Sequence, residues 1–277
     1  MPLTFECIEG SIGFTFPVYT QHSKVSDGVQ NSSVSSLYYK KAGDTEWIDW
    51  KSLGYPEVTI SAGEKLEISG WNGGQMNNGW TNYHNRFTYS GNGKLILYGN
   101  ISSLFATDVS AICINNIFEP LANTQAASTL IDASKLYIPY YASTGEGLNI
   151  LGNNNVLSAA PLFASKTYVS NGFNYGFQQC YQLKIIEFDF EHNSSWSYAG
   201  LMKNVQTTSG LFIKSYNTNL PSRGTTTIPY NWTVLNRMTD GSLQFAENTT
   251  YKGTSYSAGD PFPDDDPYEW YWSKHRT

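Results

Sequence analysis

Along residues 1–100 apolar side chains recur at every second position, and glycine, asparagine or aspartate cuts the run at short intervals. A period of two places one apolar face on a strand and leaves little room for amphipathic helix. Phe5, Cys7, Ile12, Phe14, Phe16 and Val18 follow it, interrupted by Gly10. Residues 37–40 and 47–50 flank the turn signal Ala42-Gly43-Asp44 and predict a hairpin. Residues 58–60 and 65–68 flank Ala62-Gly63-Glu64, and residues 87–89 and 94–98 flank Ser90-Gly91-Asn92-Gly93. Short strands at this spacing predict a small antiparallel β-sandwich. The stretch from Trp71 to Trp80 is too rich in glycine and asparagine for a regular element and reads as an exposed loop.

From residue 101 to 235 the pattern changes to clusters. Asp108-Val109-Ser110 can open a short helix running toward Phe118, and Leu130-Ile131 followed by residues 136–139 reads as an apolar ledge and a short strand. A second pass runs from Asn155-Val156-Leu157 through Ala160-Pro161-Leu162 to Phe177, Cys180, Leu183, Ile186 and Phe188. A third runs from Tyr198 to Val205 and on to residues 210–214. Repeated units of ledge, short helix and short strand predict a solenoid, in which each unit buries its apolar face only against its neighbour. Its core is expected to hold Leu157, Leu162, Phe177, Cys180, Leu183 and Ile186. Residues 236–277 lose the pattern, and the proline- and aspartate-rich run 260–267 predicts an irregular aromatic and acidic tail.

Composition narrows the function classes. The formal charge of -6 gives a nucleic-acid partner no electrostatic footprint. Only 14% of residues are charged while 15% are aromatic, with 20 Tyr and 8 Trp, so the surface must be built from Tyr, Asn, Ser and Thr. Such a surface suits extracellular recognition, because rigid rings give contact area at low entropic cost. It equally describes any β-rich surface protein. Cys7, Cys113 and Cys180 are odd in number and widely spaced, which predicts buried thiols rather than disulfides or a zinc site. No run approaches the ~18 apolar residues of a membrane span. The start, Met1-Pro2-Leu3-Thr4-Phe5-Glu6, has neither the basic nor the apolar region of a signal peptide. The sequons at Asn31, Asn100, Asn193, Asn231 and Asn248 therefore carry little weight.

Residues 177–183 read Phe-Gln-Gln-Cys-Tyr-Gln-Leu, preceded by Leu157-Ser158-Ala159-Ala160-Pro161-Leu162. Phe118-Glu119-Pro120-Leu121 looks like a decayed copy. Residues 209–214 and 227–234 read Ser-Gly-Leu-Phe-Ile-Lys and Thr-Ile-Pro-Tyr-Asn-Trp-Thr-Val. Together these resemble the BspA-like, Treponema-type leucine-rich repeats of surface proteins in Bacteroidales and in their crAss-like phages. The Phe-x-x-Cys-x-x-Leu segment matches the repeat core and the later segments match the terminal cap. Residues 93–104 resemble the junction between such repeats and a preceding β-domain. The resemblance covers roughly residues 1–235. It implies a mainly β chain with three parts: a β-sandwich over 1–100, a degenerate repeat solenoid with its cap over 101–235, and the tail over 236–277.

Several residue groups admit a chemical reading beside a structural one. Glu187, Asp189 and Glu191 alternate with Ile186, Phe188 and Phe190 and would share one strand face. Paired carboxylates can serve glycosidase acid–base chemistry or ligate calcium; the favoured expectation is a solvated strand face. Asp264-Asp265-Asp266 reads as a solvated tail before a metal or docking element. His22, His84, His192 and His275 show no ligand spacing, and phosphate-binding or nucleophile-elbow motifs are missing, so no metal and no cofactor are expected. Trp71, Trp80 and Tyr83 can form a sugar-stacking platform, against core or subunit packing. Tyr268, Trp270, Tyr271 and Trp272 are costly to leave in water and are expected to contact another subunit or a virion protein.

The expected function is that of a non-catalytic structural or binding protein of a bacteriophage virion: a head fibre, tail fibre or other surface component. Its expected partners are copies of itself, other virion proteins and a host-surface glycan or protein, with no nucleic acid and no membrane insertion. A bacterial cell-surface adhesin without its signal peptide is the alternative, and a glycan hydrolase resting on the carboxylate strand is the weaker one.

Overall fold

The computed structural model describes residues 2–15, 37–70, 87–104, 118, 129–138, 154, 157, 159–163, 176–188, 200–205, 209–216, 223–224 and 227–263. These residues are mainly β. The strands are β1 (Leu3–Glu9), β2 (Ser11–Thr15), β3 (Leu37–Lys41), β4 (Ile48–Asp49), β5 (Val58–Ser61), β6 (Lys65–Gly70), β7 (Thr88–Gly91) and β8 (Lys94–Asn100). A single 3-10 turn, Ile101–Leu104, follows among the described residues. Then come β9 (Leu130–Ile138), β10 (Ala159–Phe163), β11 (Ile185–Phe188), β12 (Leu211–Ser215), β13 (Thr233–Arg237), β14 (Leu243–Phe245), β15 (Thr249–Tyr251) and β16 (Thr254–Tyr256).

The predicted turns over residues 1–100 are present, and most of them do more than close hairpins. β1 and β2, β5 and β6, and β7 and β8 are each joined by a tight turn, yet the members of each pair lie in different sheets. β2 pairs with β5 and β7 in one sheet, while β1, β6 and β8 belong to the other. The chain thus folds back over itself three times, and the apolar alternation of each strand faces the opposing sheet. Phe5 meets Phe14 at 5.0 Å and Phe87 at 5.1 Å between ring centroids, and Phe14 meets Tyr89 at 5.5 Å. Each ring of this size withdrawn from water contributes roughly 1.5–3 kcal/mol. The segment 37–50 does form the predicted hairpin, β3 with β4.

The larger sheet has eleven strands in the order β14-β13-β12-β11-β10-β9-β8-β1-β6-β3-β4. From β4 to β8 neighbours run antiparallel; from β8 to β13 every pair is parallel. β8 therefore pairs antiparallel with β1 on one edge and parallel with β9 on the other. Such an edge demands a close approach at Gly99, whose φ is 97° and where an added Cβ would collide with the Pro2 carbonyl oxygen.

From β10 to β12 the parallel strands stack at an even interval. Ala159 faces Ile185 and Ile185 faces Leu211, each pair 26 residues apart. The turns before these strands stack too: the Phe177 amide donates to the Leu201 carbonyl at 2.9 Å and the Gln179 amide to the Lys203 carbonyl at 2.9 Å. Both turns carry a left-handed residue, Gln179 (φ 62°) and Asn204 (φ 65°). At the last of them, Gly210 lies beneath the indole of Trp232, with 2.6 Å between an added Cβ and Cε2. A side chain at 210 would lift the indole off the sheet.

One core runs the length of this sheet. It includes Leu3, Phe5, Leu95, Phe118, Leu136, Leu157, Phe177, Cys180, Leu183, Ile186, Phe212 and Val234. The expected core members Leu157, Phe177, Cys180, Leu183 and Ile186 are all buried, and the side chain of Leu162 lies outside the described residues. Phe118 stacks on Phe87 at 5.8 Å, and its carbonyl accepts 3.0 Å from the buried Asn154 amide. A second cluster lies on the opposite face of β11–β14: Ile185, Leu211, Ile213, Leu235, Leu243, Phe245 and Phe262.

Three expectations need correction. The ledge and strand read over 130–138 are one continuous strand; a local bond from the Ser134 amide to Asp132 Oδ1, 2.7 Å, accompanies shifts of register that break the alternation. The apolar piece 160–162 is the inside of β10, and Pro161 is accommodated because the register shifts between Ala159 and Leu162 on both sides. Residues 236–263 are not an irregular tail. They complete β13, form β14, fold β15 against β16 and return at Phe262, whose amide donates to the Leu243 carbonyl at 2.9 Å. Phe245 stacks on Tyr256 at 4.2 Å, and Tyr251 meets Phe262 at 5.2 Å. Strands of three residues are too short to show a period, so rings carry the order that patterning could not. Residues 264–277 lie outside the described residues.

Leu183 is fully buried in the shared core. Leu183→Ala should lower the free energy of unfolding by about 2–5 kcal/mol, read as a drop in the urea midpoint at unchanged slope.

Candidate binding surface

The face of the large sheet opposite the shared core is built from cross-strand rows. Over its first strands the row reads Lys40, Glu67, Thr4, Tyr98 and Lys135, from β3 to β9. A neighbouring row reads Lys65, Glu6, Ile96 and Asp132. Opposite charges alternate here: Lys40 Nζ lies 3.2 Å from Glu67, and Lys65 Nζ lies 3.3 Å from Glu6. Lys65 also sits 5.7 Å over the Tyr98 ring. Burial pushes the Tyr98 hydroxyl above its ordinary pKa, and hydrogen bonding to Lys65 opposes the shift. The next row sets Asn100 beside Tyr137, whose side chain stands 40% exposed.

The same row continues from Tyr137 to Leu162, Glu187, Ile213, Leu235 and Phe245. Here the expectation of a solvated carboxylate face fails. Glu187 is 1% exposed, and every residue of β11 is buried. On this side of the sheet Phe245 and Phe262 join Ile185, Ile213 and Leu235 in one apolar cluster, which period-two alternation alone cannot foresee. The carboxylate is neutralised by Arg237: Nε donates to Oε1 at 2.8 Å and Nη2 to Oε2 at 3.5 Å. Arg237 Nη1 donates to the Gly241 carbonyl at 2.7 Å. Both carboxylate oxygens are thus engaged by one guanidinium, and the row offers Glu187 neutral neighbours on either side. That arrangement ties β11 to β13 across β12. Asp189 and Glu191 lie outside the described residues.

A second guanidinium secures the same end of the molecule. Arg223 Nη1 donates to the carbonyls of Pro229, Tyr230 and Trp232 at 3.0, 3.1 and 2.9 Å, and Nη2 pairs with Glu247. Lys214 is also buried, on the shared-core face, and desolvation holds its pKa below the ordinary 10.5.

Trp71, Trp80 and Tyr83, the expected sugar platform, lie outside the described residues, as do Tyr268, Trp270, Tyr271 and Trp272, the expected partner contacts. Asp264, Asp265, Asp266 and the four histidines lie outside them as well. Among the described residues no group of three or more His, Cys, Asp or Glu is placed to hold a metal. The exposed rings that the structure does place are Trp47, Tyr137, Tyr216 and Tyr230. Tyr137 was legible as part of the alternation Lys135, Leu136, Tyr137, of which only Leu136 is buried. No family model, curated protein or solved structure matches the chain.

Two outcomes follow. Glu187→Ala should cost about 3–5 kcal/mol, because it strands a partly buried guanidinium; Glu187→Leu combined with Arg237→Met should recover most of that loss in a double-mutant cycle by chemical denaturation. For Lys214 the folded state binds its proton less tightly than the unfolded state. Stability should therefore rise with pH from the depressed folded pKa up to 10.5, and Lys214→Met should flatten that rise in alkaline melting curves.

Proposed function

We propose that this chain is a non-catalytic recognition and structural protein of a bacteriophage virion, built as a β-sandwich continued by a short BspA-like repeat solenoid. The observation that carries the non-catalytic part is the engagement of Glu187 by Arg237, which turns the one carboxylate of the candidate strand that is described here into a structural tie. The solenoid reading is supported by the parallel pairing of β8 to β13 and by the 26-residue interval between β10, β11 and β12, which falls within the 20–29 residues of leucine-rich repeats. The cap resemblance gains a physical basis from Gly210 under Trp232, two positions of the matching segments. The sandwich reading is supported by the facing sheets around Phe5, Phe14 and Phe87.

Recognition, rather than turnover, fits a face of paired charges with one exposed ring, Tyr137, set on a strand. The virion setting rests on the family resemblance, and with it the partners: copies of the chain, other virion proteins and a host-surface glycan or protein. Among the described residues no helix is long and apolar enough to cross a membrane.

The test has two arms. Incubation with a panel of bacterial and plant polysaccharides should release no reducing ends, and hydrolysis that Glu187→Gln abolishes would overturn the non-catalytic reading. Purified particles of the phage that encodes the chain should contain it by mass spectrometry at stoichiometric level; its recovery only from host membranes would favour an adhesin instead.

A further inference from the structure

We propose that residues 257–262 form a clasp that keeps the edge of β14 from pairing with the same edge of a second copy of the chain. The proposal is independent of the virion reading.

Among the described residues β14 is the last strand of the eleven-stranded sheet. An edge strand carries backbone groups ready to pair with another extended chain. On β14 the groups turned away from β13 are the Leu243 carbonyl and the Phe245 amide, one on either side of Gln244. An acceptor and a donor placed evenly about one residue make the edge complementary to itself. Two copies related by a twofold axis at Gln244 would each donate from Phe245 to Leu243 of the other copy. The apolar side chains at this edge, Leu235, Leu243 and Phe245, would then run on into the same residues of the second copy.

The chain spends both groups on its own later residues. The Phe245 amide donates to the Asp260 carbonyl at 2.9 Å, and the Phe262 amide donates to the Leu243 carbonyl at 2.9 Å. Phe262 anchors the far end: it is buried and meets Phe245 at 5.6 Å and Tyr251 at 5.2 Å. A turn anchors the near end. There Asp260 Oδ2 accepts the Ser257 amide at 2.7 Å, Asn248 Oδ1 accepts the Ala258 amide at 2.9 Å, and Gly259 takes a φ of 92°.

The clasp does not pass the liability outward. Asp260 and Phe262 direct their bonding groups at β14, so Pro261, bridged to Gln244 between them, turns its backbone the other way. Pro261 is exposed, and proline has no amide to donate. A strand arriving from outside meets a carbonyl there and no donor.

The experiment releases the clasp from either end within the full chain. Phe262→Ser removes the anchor. Gly259→Val meets no neighbouring atom but forces a β-branched residue into the left-handed region. Each is made alone and together with Gln244→Cys, and sedimentation velocity compares them with the otherwise native chain. The released variants should show a new species of twice the native mass, growing with concentration. The twofold sets the two 244 positions about 4.5 Å apart between Cα atoms, within disulfide range. Gln244→Cys should therefore cross-link under mild oxidation in the released chains and stay reduced in the clasped one. A released variant that remains folded by circular dichroism and keeps the native mass would overturn the proposal, as would a doubled species that Gln244→Cys does not cross-link. Loss of the strand signal in both released variants would also rule it out, because the segment would then be part of the fold and not a clasp upon it.

Discussion

The parallel pairing of β9 along the free edge of β8 is the contact on which the architecture turns. β8 is the last strand of an antiparallel arrangement and the first of a parallel one. Antiparallel strands need only short turns, whereas parallel strands need a crossover each time, so one strand marks the passage between two ways of covering a sheet. Because the hydrogen bonding never stops at that edge, neither does the apolar face. The apolar cluster that begins at Leu3 reaches Val234 as one.

Covering the other face is a separate problem, solved differently at the two ends. Over β3, β6, β1 and β8 the side chains remain partly in water, and oppositely charged neighbours offset one another. Over β11 to β14 an apolar cluster that includes Phe245 and Phe262 takes their place. A carboxylate in that second zone loses its water and holds its charge only with a guanidinium at hand. Glu187 and Arg237 meet this condition from strands that are not neighbours, which fixes the lateral order of three strands at once.

Much of the first hundred residues was legible because alternation and turn chemistry agree there. Turn signals were read correctly, but whether a turn closes a hairpin or passes to a second sheet is decided by where the next partner strand lies. The burial of Phe177, Cys180 and Leu183 was legible in the apolar residues of that segment. Pro161 concealed a strand, because its missing amide argues against one and only a register shift makes room for it. Glu187 concealed its burial, since its partner Arg237 lies fifty positions later. The segment 243–262 was hidden by its own brevity: its order comes from Phe245, Tyr251, Tyr256 and Phe262 meeting as rings, and ring contacts have no period.

Phe118 comes after β8 in the chain but belongs by contact to the first strands, where it stacks on Phe87 and approaches Phe5 to 6.2 Å. This has a consequence for how such a chain can change through descent. Recombination near residue 100 would part Phe118 from the rings that receive it, leaving a hole on one side and an unhoused aromatic on the other. The join itself must be inherited whole.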